Sequence, residues 1–202
     1  RIGDRFYLPF LPERGRVANI LRAAGTSVAR SGPALGTIHF SEGRLISAET
    51  GQDIATGLTG TAQWETADSP ALLNGSGVWR GESVRYALLI EAPLKLAGRD
   101  ASAVTISIEA DPFKASFSGT VSRRDGLGFD GSLAASSPSV RRALEWSQAQ
   151  ISPGAAMGAF SLSGKATGGN YNLKLSDTRL SINENPGVGA LEFAFAGPVP
   201  SI

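Results

Sequence analysis

The 202-residue sequence has no cysteine, one histidine and one methionine. Without cysteine there are no disulfides, thiolate metal sites or cysteine nucleophiles, and either a reducing or an oxidising compartment remains possible. The lone histidine, His39, excludes a histidine-rich metal cluster. It lies between Ile38 and Phe40, so we expect it on the opposite, solvated face of a strand. No G-x-S-x-G elbow accompanies it, which argues against a serine hydrolase.

The sequence also lacks an excess of charge of either sign and any long apolar run. Its 19 basic and 18 acidic residues give a net charge of +1, which provides no electrostatic drive toward nucleic acid. The carboxylates are scattered over predicted turns and strand ends, without the spacing of a metal site or a carboxylate pair. We therefore expect no enzyme activity, catalytic residue, metal or cofactor. The strongest apolar run, residues 86–90, is far shorter than the roughly 20 residues that span a bilayer.

The chain begins at Arg1, and its methionine is Met157. We therefore expect a piece of a longer polypeptide, whose signal peptide or membrane anchor would lie outside this sequence.

Glycine-containing motifs have structural explanations. Gly126, Gly128 and Gly131 spell G-x-G-x-x-G, but Asp125-Gly126 resembles a hairpin turn and the following residues continue as a strand. A dinucleotide site would require a helix there. Residues 74–76 (NGS) match a glycosylation sequon, although an Asn-Gly turn is our preferred interpretation. Residues 42–43 (EG) predict a tight hairpin between strands 37–41 and 44–47.

The dominant pattern is strict alternation of apolar and polar residues, as in residues 102–109 (SAVTISIE) and 113–121 (FKASFSGTV). This period of two predicts antiparallel strands with one apolar face and one solvent-exposed face. The fold class we expect is mainly β: a long curved antiparallel meander, U-shaped or half-barrel, with one or two short helices. Residues 1–35 would form an entry segment with a short helix near 16–30, and residues 36–202 an antiparallel β domain. A helix at about 138–148 would interrupt it, with Ser137 as its cap and Pro138 at its first position.

The greasy positions of neighbouring strands would share one large surface if the strands pair in register. Such a surface is a closed core, a partner interface or a site for apolar ligands. The candidate lipid-binding residues are Val84, Tyr86, Leu88, Ile90, Val104, Ile106, Ile108, Phe113, Phe117, Val121, Leu127, Phe129 and Leu133. Tyr171 and Phe195 lie on further strands of the same pattern.

Several segments together resemble the AsmA family of bacterial envelope proteins. The resemblance covers roughly residues 33–196. In that family a short helix after a run of strands precedes a G-x-F-x-L-x-G strand, and a G-x-I-x-F-x-x-G-x-L hairpin recurs. The matching segments here are residues 36–46 (GTIHFSEGRLI), 138–146 (PSVRRALEW), 153–154 (PG), 158–164 (GAFSLSG) and 172–182 (NLKLSDTRLSI).

The resemblance implies a periplasmic protein that an N-terminal helix, absent from this sequence, anchors in the inner membrane. It also implies an apolar groove for phospholipids and a part in outer-membrane biogenesis. We therefore expect a non-enzymatic segment that presents its greasy face to phospholipid acyl chains. The alternative is a structural module with a closed core and no ligand, whose edge strands bind other envelope proteins by strand addition.

Overall fold

The computed structural model describes residues 36–47, 51–124, 126–147, 158–169 and 172–194. The predicted entry segment and helix within residues 1–35 lie outside the described residues, as do Asp125, Tyr171 and Phe195. The strands are β1 (Gly36–Ile46), β2 (Asp53–Trp64), β3 (Ala71–Trp79), β4 (Glu82–Ile90), β5 (Ser102–Ala110), β6 (Lys114–Ser122), β7 (Gly128–Ser137), β8 (Phe160–Gly169), β9 (Asn172–Ile182) and β10 (Asn185–Ala194). Helix α1 (Pro93–Ala97) follows β4, and helix α2 (Val140–Ser147) follows β7.

All ten strands form one sheet in sequence order, each antiparallel to the next. The expected fold class, a mainly β antiparallel meander with short helices, is confirmed. The sheet is open, with β1 and β10 at its edges. An open sheet of this length is consistent with the curved meander that we expected.

The central ladders, from β3 to β8, pair residue for residue without any register shift. Register shifts occur only in the outer ladders, from β1 to β3 and from β8 to β10. The predicted hairpin at residues 42–43 is wrong, because β1 runs through it as one strand with a bulge between Phe40 and Gly43. Glu42 has a φ of 54°. This conformation accommodates the bulge and does not reverse the direction of the chain.

Two further local predictions are wrong. Asn74 and Gly75 lie inside β3, where they pair with Ala87 and Tyr86, so they form no turn. The cap of α2 is Ser139 and not Ser137, because Ser139 Oγ accepts a hydrogen bond from the Arg142 amide at 3.3 Å. Ser137 is the last residue of β7, and its Oγ bonds the backbone N–H and C=O of Ser139.

Two of the hairpin turns use backbone conformations that most residues avoid. Arg80 and Gly81 between β3 and β4 have φ values of 51° and 81°, and Asn183 and Glu184 between β9 and β10 have 51° and 66°. Positive φ at both central residues matches the right-handed twist of the flanking strands. Arg80 lacks the freedom of glycine, but its guanidinium lies 5.5 Å from the Trp79 ring centroid and contributes a compensating contact.

Candidate functional site

One side of the sheet, which we call the apolar face, carries the alternating greasy residues. Its central row is Leu88, Ile106, Phe117 and Leu133, each the register partner of the next on strands β4 to β7. Residues that pair directly across antiparallel strands point to the same side. The four side chains therefore share one surface, as alternation within each strand predicts.

The structure brings almost all of the predicted lipid-binding residues onto this face. Phe113 joins it from the turn between β5 and β6, where two backbone hydrogen bonds of 2.8 and 3.2 Å pair it with Ala110. Leu127 is the exception, because it lies in the turn before β7 and is 46% exposed. The other predicted residues on the face are Val84, Tyr86, Leu88, Ile90, Val104, Ile106, Ile108, Phe117, Val121, Phe129 and Leu133.

The prediction of the site missed the continuation of the face toward β1. Leu73 pairs with Leu88, Ala62 pairs with Leu73, and Ile38 pairs with Ala62, so the central row runs on to the sheet edge. The alternation of apolar and polar residues around Ile38 predicts that its side chain lies on the apolar face. The alternation around Leu73 is weaker, because the glycines and polar residues that follow it are typical of a turn and not of a strand.

Aromatic rings on the apolar face lie over glycines of the neighbouring strand. A Cβ built on Gly131 would come within 2.9 Å of Phe117 Cε2, and one on Gly168 within 2.9 Å of Phe129 Cζ. Gly75 stands in the same relation to the Tyr86 hydroxyl, at 2.7 Å. Each ring therefore occupies space that a side chain at the paired glycine would need.

The apolar face is unevenly covered. Val104 is 4% exposed, whereas Ile106, two residues along the same strand, is 37% exposed, and Phe193 on β10 is 44% exposed. Partial burial raises the pKa of the Tyr86 phenol above its usual range through desolvation. In the part of the chain that the structure describes, the helices are α1 and α2, and no second sheet lies over the face.

Helix α2 contacts the end of the sheet at the turn between β3 and β4. Trp146 meets Trp79 edge to face, with ring centroids 4.6 Å apart, and its indole N–H donates to the Trp79 carbonyl at 3.0 Å. Arg80 donates to the Trp146 carbonyl at 3.1 Å, and Arg142 donates to Glu82 at 2.9 Å. This hydrogen bond raises the pKa of the Arg142 guanidinium above its usual range. The helix therefore bridges from the end of β7 to the β3–β4 turn.

The opposite side of the sheet, the polar face, carries hydroxyls and ion pairs. His39 lies there as predicted, exposed and 3.3 Å from Thr61 Oγ1 through Nδ1. Arg85 donates to Glu109 at 2.8 Å. That hydrogen bond, followed by the Arg85 charge, lowers the pKa of the Glu109 carboxyl and raises that of the Arg85 guanidinium. The ion pair and the hydroxyls of the polar face are thus exposed to water.

Other sequence motifs occupy structural positions. Gly126, with a φ of 106°, lies in the turn between β6 and β7, while Gly128 and Gly131 are in β7, antiparallel to β6. A strand follows this glycine motif where a dinucleotide site would have a helix. Among the described residues, no three histidine or acidic side chains gather as metal ligands. The same part of the chain contains no helix of sufficient length and apolarity to cross a membrane.

Comparison of the chain with protein-family models, with curated proteins and with solved structures finds no match.

Proposed function

We propose that this protein is a non-enzymatic, periplasmic segment of an AsmA-like envelope protein whose apolar face accommodates phospholipid acyl chains. One observation carries the proposal: an apolar row crosses the middle of the open sheet, and Ile106 at its centre is 37% exposed. Monomeric soluble proteins rarely leave large contiguous apolar surfaces in water. The resemblance of several segments to the AsmA family suggests phospholipid as the occupant of this surface.

The apolar face suits acyl chains because it offers a large apolar area and makes no specific polar contact with a ligand. Each methylene transferred from water gains about 0.8 kcal/mol, so even part of a chain binds without a polar contact. The central row is built of branched aliphatic and aromatic side chains, and aromatic rings of the apolar face lie against glycines of the neighbouring strand. The proposed mechanism is passive sliding, which requires no cofactor. Transport toward the outer membrane, with anchoring in the inner membrane by an N-terminal segment, completes the proposal.

Native mass spectrometry after detergent-free purification tests the proposal. We expect bound phospholipid in the unaltered chain and its loss in Leu88→Glu, because a carboxylate on the apolar face opposes contact with acyl chains. Ala87→Glu is the matched control, since Ala87 is the exposed neighbour on the polar face. Phe117→Glu with Ser116→Glu repeats the comparison on β6, so the test does not depend on one variant folding.

Equal lipid content in Leu88→Glu and Ala87→Glu, with both proteins folded by circular dichroism, would contradict acyl-chain binding on this face. A lipid-free unaltered chain would contradict it as well.

The sheet edge favours a second candidate function, binding of other envelope proteins by strand addition. Every residue of β10 is exposed, and Val188 on its polar side is 86% exposed. Such an edge presents unpaired backbone groups to a further strand. A Val188→Pro variant removes a backbone donor, and loss of a partner without loss of lipid would support this second function.

A further inference from the structure

The two edge strands of the sheet differ in regularity. Strand β1 is shifted in register against β2 at several points, and Glu42 in its middle has a positive φ. Bulges of this kind protect an edge from pairing with a further strand. In the β10 ladder, Gly189 and Leu191 are two positions apart while their partners on β9 are three apart, so the extra residue belongs to β9. Strand β10 is therefore itself regular, and all of its residues are exposed.

The side chains of β10 alternate between the two faces of the sheet. Phe193 lies on the apolar face, and Gly189 and Leu191 share its side because they are an even number of positions away. Ala190 and Glu192 lie between them on the polar face. Glu192 is the one charged residue of this strand, so the edge presents mainly small and apolar side chains.

Aromatic residues of the apolar face repeatedly stand opposite a glycine on the next strand. These register partners are Phe40 and Gly60, Tyr86 and Gly75, and Phe129 and Gly168. A Cβ on each of these glycines would come within 2.9 Å of the aromatic side chain.

Strand β10 contains both members of such a pair, each without its counterpart. Phe193 pairs with Leu173 on β9, and its other side is the open edge of the sheet. A Cβ built on Gly189 would meet no atom within 4 Å, and the φ of Gly189 is not positive. The ring lacks a glycine and the glycine lacks a ring, so a second β10 strand would supply what each is missing.

We propose that a second copy of this chain binds at β10, with the two β10 strands antiparallel and Leu191 opposite the partner's Leu191. This register places Phe193 opposite the partner's Gly189 and pairs residues 188–194 of the two copies. Residues that pair across antiparallel strands point to the same side, so the twofold axis is perpendicular to the sheet. The apolar face therefore continues from one copy into the other.

Charge and side-chain size select this register. A shift that places Glu192 opposite the partner's Glu192 brings two carboxylates together, which destabilises a strand pair. The opposite shift places Leu191 against the partner's Gly189 and loses the apolar contact between the two leucines. In the proposed register Glu192 stands opposite the partner's Ala190, so neither cost arises.

The inference rests on the strand-addition function and assigns a second copy as its partner. The paired segment is short, and its interface is smaller than that of a permanent dimer. We therefore expect a dimer that dissociates on dilution. Its formation requires no lipid, so it is measured separately from binding on the apolar face.

Sedimentation velocity over a range of protein concentrations measures the dimer. Ala190 gives the sharpest test, because it is exposed on the polar face and stands opposite the partner's Glu192. We expect Ala190→Lys to lower the dimer dissociation constant about three- to tenfold and Ala190→Glu to raise it by a similar factor. Ala194→Lys and Ala194→Glu are the controls. Ala194 stands opposite the partner's Val188, so the sign of a charge there should make little difference.

Gly189→Val tests the contact with the aromatic ring. The space beside Gly189 is free in the single chain, so valine should not reduce the stability of the monomer in urea. In the dimer the valine would occupy the space of the partner's Phe193, and we expect the dissociation constant to rise about tenfold. Unchanged dimerisation of Gly189→Val would overturn the proposed pairing.

A fluorescent peptide of residues 188–194 (VGALEFA) separates the partner from the mode of binding. A chain that stays monomeric but binds this peptide would overturn the second copy and leave strand addition in place. A chain that does neither would contradict both. Assemblies larger than a dimer would overturn the twofold arrangement, and equal effects of Ala190→Lys and Ala190→Glu would overturn the register.

Discussion

The two faces of strands β4 to β7 share one backbone ladder but interact with different surroundings. On the apolar face, Leu88, Ile106 and Phe117 follow one another across the strands, while the adjacent row on the polar face is Ala87, Ser107 and Ser116. Backbone hydrogen bonding is common to both rows, so the difference lies in the side chains alone. Among the described residues no second layer covers either face, so the side chains of the two faces are available for separate roles.

The largest effect should come from filling the space beneath an aromatic ring. A Cβ on Gly131 would lie 2.6 Å from Gly119 Cα as well as against Phe117, and backbone cannot move aside easily. We expect Gly131→Val to reduce the free energy of unfolding by about 3 kcal/mol. Ser132→Val, at the next position on the polar face, should change it by less than about 0.5 kcal/mol. Urea unfolding measures both, and equal losses would show that the faces do not differ in packing.

Truncation of the tryptophan contact at the end of the sheet should have an intermediate effect. Trp146→Ala removes the edge-to-face contact with Trp79 and the 3.0 Å hydrogen bond to its carbonyl. We expect a loss of about 2 kcal/mol in urea unfolding, since the indole is partly exposed and gains less than a fully buried one. Glu145→Ala, an exposed neighbour on α2, should change the stability little. Similar values for both variants would indicate that α2 contributes no packing at this end.

The smallest effect concerns the exposed ion pair on the polar face. Arg85 lowers the pKa of Glu109, so the pair contributes stability above the carboxyl's ordinary pKa of 4.5 and loses it as the pH falls through the lowered value. Arg85→Gln should therefore move the Glu109 pKa upward in an NMR titration, and added salt should reduce the difference. A Glu109 pKa that does not respond to the substitution would contradict the assigned pairing.

Alternation was a reliable guide to the central strands because their register is regular. It failed where bulges interrupt the alternation. In β9 the strand is continuous, but a bulge at Asp177, whose φ is 50°, shifts the alternation by one residue. A local sequence does not distinguish a positive φ that turns the chain from one that accommodates a bulge, since the partner strand decides between them.

Contacts distant in sequence explain the other omissions. The middle of β3 reads as a turn because Asn74 and Gly75 occur there, yet Gly75 and Gly77 lie beneath Tyr86 and Leu58 from the neighbouring strands. Helix α1 is too short to show a period, and the Ala92 amide before it bonds Ser102 Oγ at 2.9 Å. Alternation predicted the side on which the site residues lie. It could not predict whether the sheet closes over them, because open and closed sheets have the same period.

Photocrosslinking from adjacent positions on opposite faces tests the central claim most directly. A photoreactive benzophenone side chain replaces Ile106 on the apolar face or Ser107 on the polar face, and the purified protein is irradiated with vesicles of phosphatidylethanolamine and phosphatidylglycerol. We predict a phospholipid adduct by mass spectrometry at position 106 and none at position 107. Equal adducts at both positions, or none at position 106, would contradict the claim that the apolar face accommodates acyl chains.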